Sequence, residues 1–425
     1  MLDIRYIREN SAECRQRLAV RGDPELGSLL DGALALDVRR RELIGEVELL
    51  KAERNERSSE IGERKRLGED ASDLLEAMQK VAARIRGLDS ELAEVEAELD
   101  SLLLTIPNVP HERVPSGGEG EGQVLREWGE LPSFDFEPRP HWEIGSALGI
   151  LDMERGAKLS GSGFPLLAGA GARLQRALVQ LMLDLHVEEH GYTEIAPPYL
   201  VNRESMTATG HLPKFEEDAY RTDPDDLFLV PTAEVPITNL HRDEILDGES
   251  LPRAYVAHTP CFRREAGAAG RDTRGLLRVH QFDKVELVRL VTPESSDDAL
   301  EALTGHAERV LERLELPYRR VLLPGGDLGF ANHLTYDLDV WAAGVGEWLE
   351  VSSCSNYGDY QARRASIRFR PGPRGKPAFV HTLNGSGLAL ARTIVALLEN
   401  GQQGDGSVIM PAALHSYLGA DRLES

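Results

Sequence analysis

Leu74, Met78, Val81, Ile85, Leu88, Leu92, Val95, Leu99 and Leu102 alternate spacings of four and three without a break. An apolar repeat of 3.5 residues is buried when one helix supercoils against another, so this stretch is predicted to be half of a coiled coil. A weaker seam of Leu36, Leu43, Val47, Leu50 and Ile61 precedes it. Between the two, Gly68 supplies a turn glycine, and Asp70, Ser72 and Asp73 supply N-cap candidates. Two seams around one short break predict an antiparallel pair within the chain; a coiled coil joining two chains is the alternative. At ~1.5 Å per residue, helices of about 33 residues would make an arm of about 50 Å. Charge is polarised along it. Asp89, Glu91, Glu94, Glu96, Glu98 and Asp100 lie near the body. Lys51, Arg54, Arg57, Arg64, Lys65, Arg66, Lys80, Arg84 and Arg86 lie toward the turn, as suits an arm reaching along a nucleic-acid backbone.

The arm is too small a core to account for 425 residues. Residues 1–105 read as this helical arm, 106–140 as a Pro- and Gly-rich linker, and 141–425 as a second domain. Within that domain helices are predicted near 169–190, 296–316 and 387–400. Strands are predicted at 227–231, 254–264, 276–291, 318–323, 335–341, 347–353, 365–370 and 378–383. Runs of strands not interleaved with helices predict an α+β fold: a mainly antiparallel sheet flanked by helices. No apolar run reaches the ~18 residues of a membrane span, and the N-terminus lacks a signal-peptide pattern. Cys14, Cys261 and Cys354 are too scattered for a disulfide framework or a cysteine-based zinc site, which fits a reducing cytoplasm. The net charge of −23 argues against a polyanionic partner only as a sum. Locally, six arginines from Arg253 to Arg278 face only Glu265 and Asp272, and six bases from Arg363 to Lys376 face no acid.

Chemistry concentrates in Pro260-Cys261-Phe262-Arg263-Arg264-Glu265, a glycine-rich loop, and Val279-His280-Gln281-Phe282-Asp283-Lys284-Val285-Glu286. Strand alternation would put Arg263 with Glu265 on one face, and Phe282 with Glu286 on another. A cation, two carboxylates and an aromatic face suit a nucleotide; a solvated charged hairpin is the other reading. Asn384-Gly385-Ser386-Gly387 would open an apolar helix in which Arg392 is the one permanent charge. That arginine either snorkels to solvent or clamps a second phosphate, with the glycines letting backbone approach a ligand. Glu350 and Ser352 would share one strand face, with Ser353 at the strand's end, a set suited to magnesium held partly by phosphates. Pro231-Thr232-Ala233-Glu234 offers a further hydroxyl and carboxylate at a loop. There is no G-x-x-x-x-G-K-[ST] loop and no dinucleotide fingerprint, so any nucleotide must be held by arginines on a sheet.

Taken together, these segments resemble the bacterial-type seryl-tRNA synthetases, of the class II aminoacyl-tRNA synthetases, over essentially the whole chain. The helix from Gly171 to Gly191 leading to Pro197-Pro198 resembles the first class motif, which builds a dimer interface. Phe262 to Glu265 with His280 to Phe282 resembles the second, and Gly385 to Arg392 the third. The resemblance implies that Arg263 bridges the amino-acid carboxylate and the α-phosphate of ATP. It puts Glu265 and the Val279 backbone near the adenine, which stacks between Phe282 and Arg392, and counts Arg264 among the ATP-binding residues. Glu350, Val351, Ser352 and Ser353 would complete the ATP site, with Mg2+ on Glu350 and Ser353 and no zinc. Thr232, Ala233 and Glu234 would surround the amino group of L-serine, with Glu286 and Ser386 on its hydroxyl. Catalysis would fall to Arg263 and Arg392. The implied enzyme is a cytoplasmic homodimer that charges tRNA(Ser), and tRNA(Sec) where present. The family most often has serine where this chain has Arg264, whose side chain alternation turns away from Arg263. A carrier-protein ligase, an inactive RNA-binding module and a purely structural coiled coil are rival readings. The arm with no cysteine-based zinc pattern, the retained Arg263, Glu265, Glu350 and Arg392, and the remaining 300 or so residues respectively weigh against them.

Overall fold

A computed structural model describes residues 1–266 and 273–424. The chain divides into two compact units, one of residues 1–19 and 23–107, the other of 20–22 and 108–425. In the first, α1 (Leu26–Leu67) and α2 (Ser72–Thr105) pack along each other. Leu43, Val47 and Leu88 are buried together near the middle, and Ile61 with Leu74 near the turn. Gly68 ends α1 in the left-handed conformation at φ 75°, where its N–H donates to the Arg64 and Lys65 carbonyls. At 34 residues α2 has the expected length, whereas α1, at 42, exceeds it, since α1 runs on past the seam to Leu26, where it packs against two short N-terminal helices. Asp37 lies wholly buried there on Arg8, Arg40 and Arg41, so burial raises its carboxyl pKa less than the arginines lower it.

The second unit is built on an eight-stranded sheet. Its strands are β1 (Gln123–Trp128), β2 (Thr193–Glu194), β3 (Arg253–Phe262), β4 (Gln281–Val291), β5 (Tyr318–Leu322), β6 (Leu334–Ala342), β7 (Glu347–Asn356) and β8 (His381–Ala389). They lie in the order β1-β5-β6-β7-β8-β4-β3-β2, antiparallel throughout except for β2 beside β3. The supposed linker 106–140 therefore contributes an edge strand, β1, paired with β5 from Gln123 to Trp128. The turn residues around it obscured so short a period.

Four helices matter for the site: α3 (His141–Ala147), α4 (Ala170–Glu188), α5 (Ser296–Arg313) and α7 (Leu390–Asn400), with α6 (Tyr360–Ala365) between the last two. The sheet has two unlike faces. On β4, Val285, Leu287 and Val291 join the main core with Leu178 and Met182 of α4 and Leu303 of α5. The alternate residues Phe282, Lys284 and Glu286 open onto a cavity, and Val288 and Leu290 continue that face into a second core.

Three local expectations fail for physical reasons. Gly385 and Ser386 do not open a helix; they lie in β8, paired with Leu287 and Glu286, and α7 begins only at Leu390. Their glycines serve the core side: a Cβ on Gly385 would meet Leu303 Cδ2 at 2.3 Å, and one on Gly387 would meet His186 Nε2 at 2.5 Å. Packing against α5 and α4, rather than a ligand, demands the missing side chain. Finally, the strand of Arg263 stops at Phe262, and Glu265 adopts φ 53°, so alternation does not relate the two.

Candidate active site

Arg263, just beyond β3, is held by its backbone N–H to the His280 carbonyl, and its Nε donates to the Pro231 carbonyl at 3.4 Å. Its guanidinium lies 5.3 Å from the Phe282 ring centroid. From across the cavity Arg392, in the first turn of α7, donates through Nε to the Leu277 carbonyl (3.1 Å) and through a terminal nitrogen to the Glu350 carbonyl (2.8 Å). Both guanidinium groups line one cavity of about 290 Å³.

Of the sequence-predicted residues, Thr232, Glu234, Glu265, Val279, Phe282 and Glu286 also line it, as do Glu350, Ser353 and Ser386. Arg264, Ala233, Val351 and Ser352 do not. Arg264 lies with its guanidinium 5.3 Å from the Tyr220 ring centroid, and Ala233 is buried in the second core. The register of β7 slips between Glu350 and Ser352, so Val351 turns into the main core and Glu350 shares the cavity with Ser353 and Ser355. Ser352 is buried instead, its hydroxyl donating to the Ser386 carbonyl at 2.7 Å. Ser353 also lies well inside β7 rather than at its end. Part of the glycine-rich loop, with Arg271 and Asp272, lies outside the described residues.

The inner end is a polar network that sequence reading only partly found. The amide of Asn384 donates to Glu234 Oε2 (2.8 Å) and Glu286 Oε1 (2.9 Å), while its oxygen accepts from the Tyr357 hydroxyl (2.9 Å). Gln361 donates to the other oxygen of Glu234. Burial first, and then the charge of Glu286, raise Glu234 to about 7. Lys284 forms a buried ion pair with Glu286 at 2.7 Å and donates to the Thr232 hydroxyl at 2.9 Å. Lys284 was readable, since it falls midway between Phe282 and Glu286 in the same period of two. His211 and Tyr357 come from remote segments with no local signal. His211 is held neutral, at about 3, by burial and by the nearby charges of Arg263 and Lys284.

Near Glu350, the half-buried Asp337 stands opposite Ser353 across the β6–β7 pair and leaves its buried Oδ1 without a hydrogen-bond partner. Burial and the Glu350 charge push its carboxyl well up. The cavity thus offers two cations at its mouth, oxygen donors at one wall, and a closed carboxylate–amide–ammonium cluster at its floor. Such a site can neutralise a phosphate chain and hold a small zwitterion by its polar groups.

Residues 214–401 match the tRNA synthetase class II core domain (G, H, P, S and T), and residues 1–110 match the seryl-tRNA synthetase N-terminal domain. A serine–tRNA ligase of Geobacter sp. strain M21 is 56% identical over 427 residues, covering 100% of both chains. One from Syntrophotalea carbinolica is 55% identical, covering 99% of this chain and 98% of its own length. The crystallised seryl-tRNA synthetase from Pyrococcus horikoshii, complexed with ATP, superposes with a TM-score of 0.95 at 39% identity, covering 100% of this chain and 99% of that one.

Proposed function

This chain belongs to the seryl-tRNA synthetases, and on that premise we propose how its cavity divides the work of the reaction. It is a serine–tRNA ligase. Serine and ATP form seryl-adenylate and diphosphate, and the 3′ end of tRNA then takes the seryl group with release of AMP. The serine carboxylate is already ionised at pH 7, so attack on the α-phosphorus needs no strong base. It needs in-line placement and neutralised phosphate charge. We assign those tasks to Arg263, between carboxylate and α-phosphate, and to Arg392, toward the γ-phosphate, with adenine against Phe282. The observation that carries this reading is that the two guanidinium groups, from a strand end and a helix start, open onto one cavity.

The expected Mg2+ fits the oxygen donors Glu350 and Ser353, which share one wall of the cavity. Among the described residues no group of three or more His, Cys, Asp or Glu could hold a metal ion, so the nucleotide would supply most of the coordination. When bound, the ion would neutralise phosphate charge. Thr232 and Glu234 would receive the ammonium group, and Glu286 with Ser386 the serine hydroxyl. A site whose buried polar groups pair with that hydroxyl rejects an analogue lacking it by ~10⁴ or more.

Exposed bases on the arm, among them Lys51, Arg54, Lys65, Arg66, Lys80 and Arg86, support a grip on tRNA(Ser), and on tRNA(Sec) where the host has it. Helix α4 is the expected homodimer face. Among the described residues no helix is long and apolar enough to cross a membrane, and we place the enzyme in the cytoplasm.

Serine-dependent ATP–diphosphate exchange, with alanine and threonine as controls, tests the assignment. Exchange should require serine and vanish in Arg263→Ala with the circular dichroism unchanged. Normal exchange in that variant would refute it.

A further inference from the structure

One buried histidine, His141, lies outside the cavity yet joins one of its walls, at Leu276, to the helix that carries Arg392, at Glu399. It is the first residue of α3 and is fully buried. Its Nε2 lies 2.9 Å from the Leu276 backbone N–H, which can only donate, so this nitrogen accepts and the ring proton sits on Nδ1. Nδ1 then donates to Glu399 Oε1 at 2.7 Å. The same oxygen accepts the His141 backbone N–H at 2.8 Å, and Oε2 accepts from Gly344 (2.7 Å) and Val345 (3.0 Å). Every bond of this buried carboxylate is thus committed.

The circuit closes through the active site. Leu276, Leu277 and Val279 line the cavity, and the Leu277 carbonyl is the acceptor for Arg392 Nε. Arg392 and Glu399 lie seven residues apart on α7, about two turns, and so face the same side. A second contact from α3 reaches the same segment, since the Arg274 guanidinium sits 4.5 Å from the Trp142 ring centroid. Steric fit is close: a Cβ on Gly275, at φ 58°, would meet His141 Nε2 at 2.2 Å.

We propose that His141 is a positioning residue for ATP, whose neutral ring clamps the Gly275–Leu277 turn to the helix that carries Arg392. The clamp sets the distance between the wall near Val279 and the Arg392 guanidinium. The floor of Thr232, Glu234 and Glu286 is held by its own network and does not depend on it. This rests on the reading of Val279, Phe282 and Arg392 as the nucleotide side.

Steady-state exchange kinetics on the full-length enzyme separate the two substrates. His141→Phe fills the space but can neither accept from Leu276 nor donate to Glu399, and should raise the KM for ATP about tenfold, the scale of leaving the Leu276 N–H buried and unpaired. The KM for serine should stay within about twofold, since its contacts are untouched. His141→Gln, whose amide can accept from Leu276 and donate to Glu399, should recover most of the ATP affinity. Gly275→Ala leaves His141 and Glu399 in place, pushes the turn off the ring, and should reproduce the His141→Phe effect; it decides the matter should the phenylalanine variant not fold. An unchanged KM for ATP in Gly275→Ala or in folded His141→Phe, or equal rises for both substrates, overturns the clamp. Failure of the underlying reading looks different: Arg392→Ala would then leave the KM for ATP unchanged as well.

Discussion

Replacing Lys284 by methionine isolates what the buried floor of the cavity contributes. The Lys284 and Glu286 side chains are 7% and 1% exposed, 2.7 Å apart, and Lys284 also donates to Thr232. Methionine keeps the aliphatic length but leaves the Glu286 carboxylate uncompensated beside Glu234, whose carboxyl burial and Glu286 already raise to about 7. Breaking one side of a buried pair costs about 3–5 kcal/mol, because the stranded charge keeps the Asn384 amide but no opposite charge. For a unit of this size that corresponds to a fall in Tm of about 5–10 °C. Neutralising the stranded charge should return much of the loss, so Lys284→Met with Glu286→Gln should be more stable than Lys284→Met alone. The coupling between the two should exceed about 2 kcal/mol. Calorimetry and urea unfolding on the four proteins of this cycle measure it. Additive effects, or a loss below about 1 kcal/mol for Lys284→Met, would refute a structural ion pair at this position.

Three further outcomes are expected. With Glu234 raised to about 7, its carboxylate, the form that receives an ammonium group, is lost as pH falls through 7; kcat/KM for serine should drop about tenfold per pH unit below that value and level off above it, a profile that Glu234→Gln should flatten. His186, His190 and His306 form a contiguous cluster, the first two 2.9 Å apart through Nδ1 and the last two stacked at 4.1 Å. Burial lowers all three, His186 to about 3 and His306 to about 4, so the folded state binds fewer protons than the unfolded chain, and Tm should fall steadily as pH drops from 6.5 toward 4, less steeply in His306→Gln. Deletion of residues 36–102 with a short glycine bridge is geometrically permissible, because a Cβ on Gly32 would lie 3.2 Å from Leu102; serine-dependent exchange should persist while tRNA charging collapses, and equal loss of both would count against the arm as the tRNA grip.

What could be read along the chain was whatever depends on local period. The four–three spacing from Leu74 to Leu102 dictates a helix that must find a second helix, and α1 is that partner within the same unit. A period of two marked β3, β4 and β7, and on β4 it correctly grouped Phe282 with Glu286 while also holding the overlooked Lys284. Local period fails wherever backbone geometry breaks it. The slip at Val351 exchanges Ser352 for Ser353, the positive φ of Glu265 ends the alternation after Phe262, and the pairing of Ser386 with Glu286 makes strand out of an apparent helix start. Those features are decided by neighbours on adjacent strands, which no window of sequence contains. The same holds for the floor and the clamp. Asn384 can bridge Glu234 and Glu286 only because three distant segments converge, and His141 becomes a fixed acceptor only when Leu276 and Glu399 reach it from opposite directions. Residue identity supplied the donors and acceptors; long-range packing, by removing water from around them, determined which must pair with which.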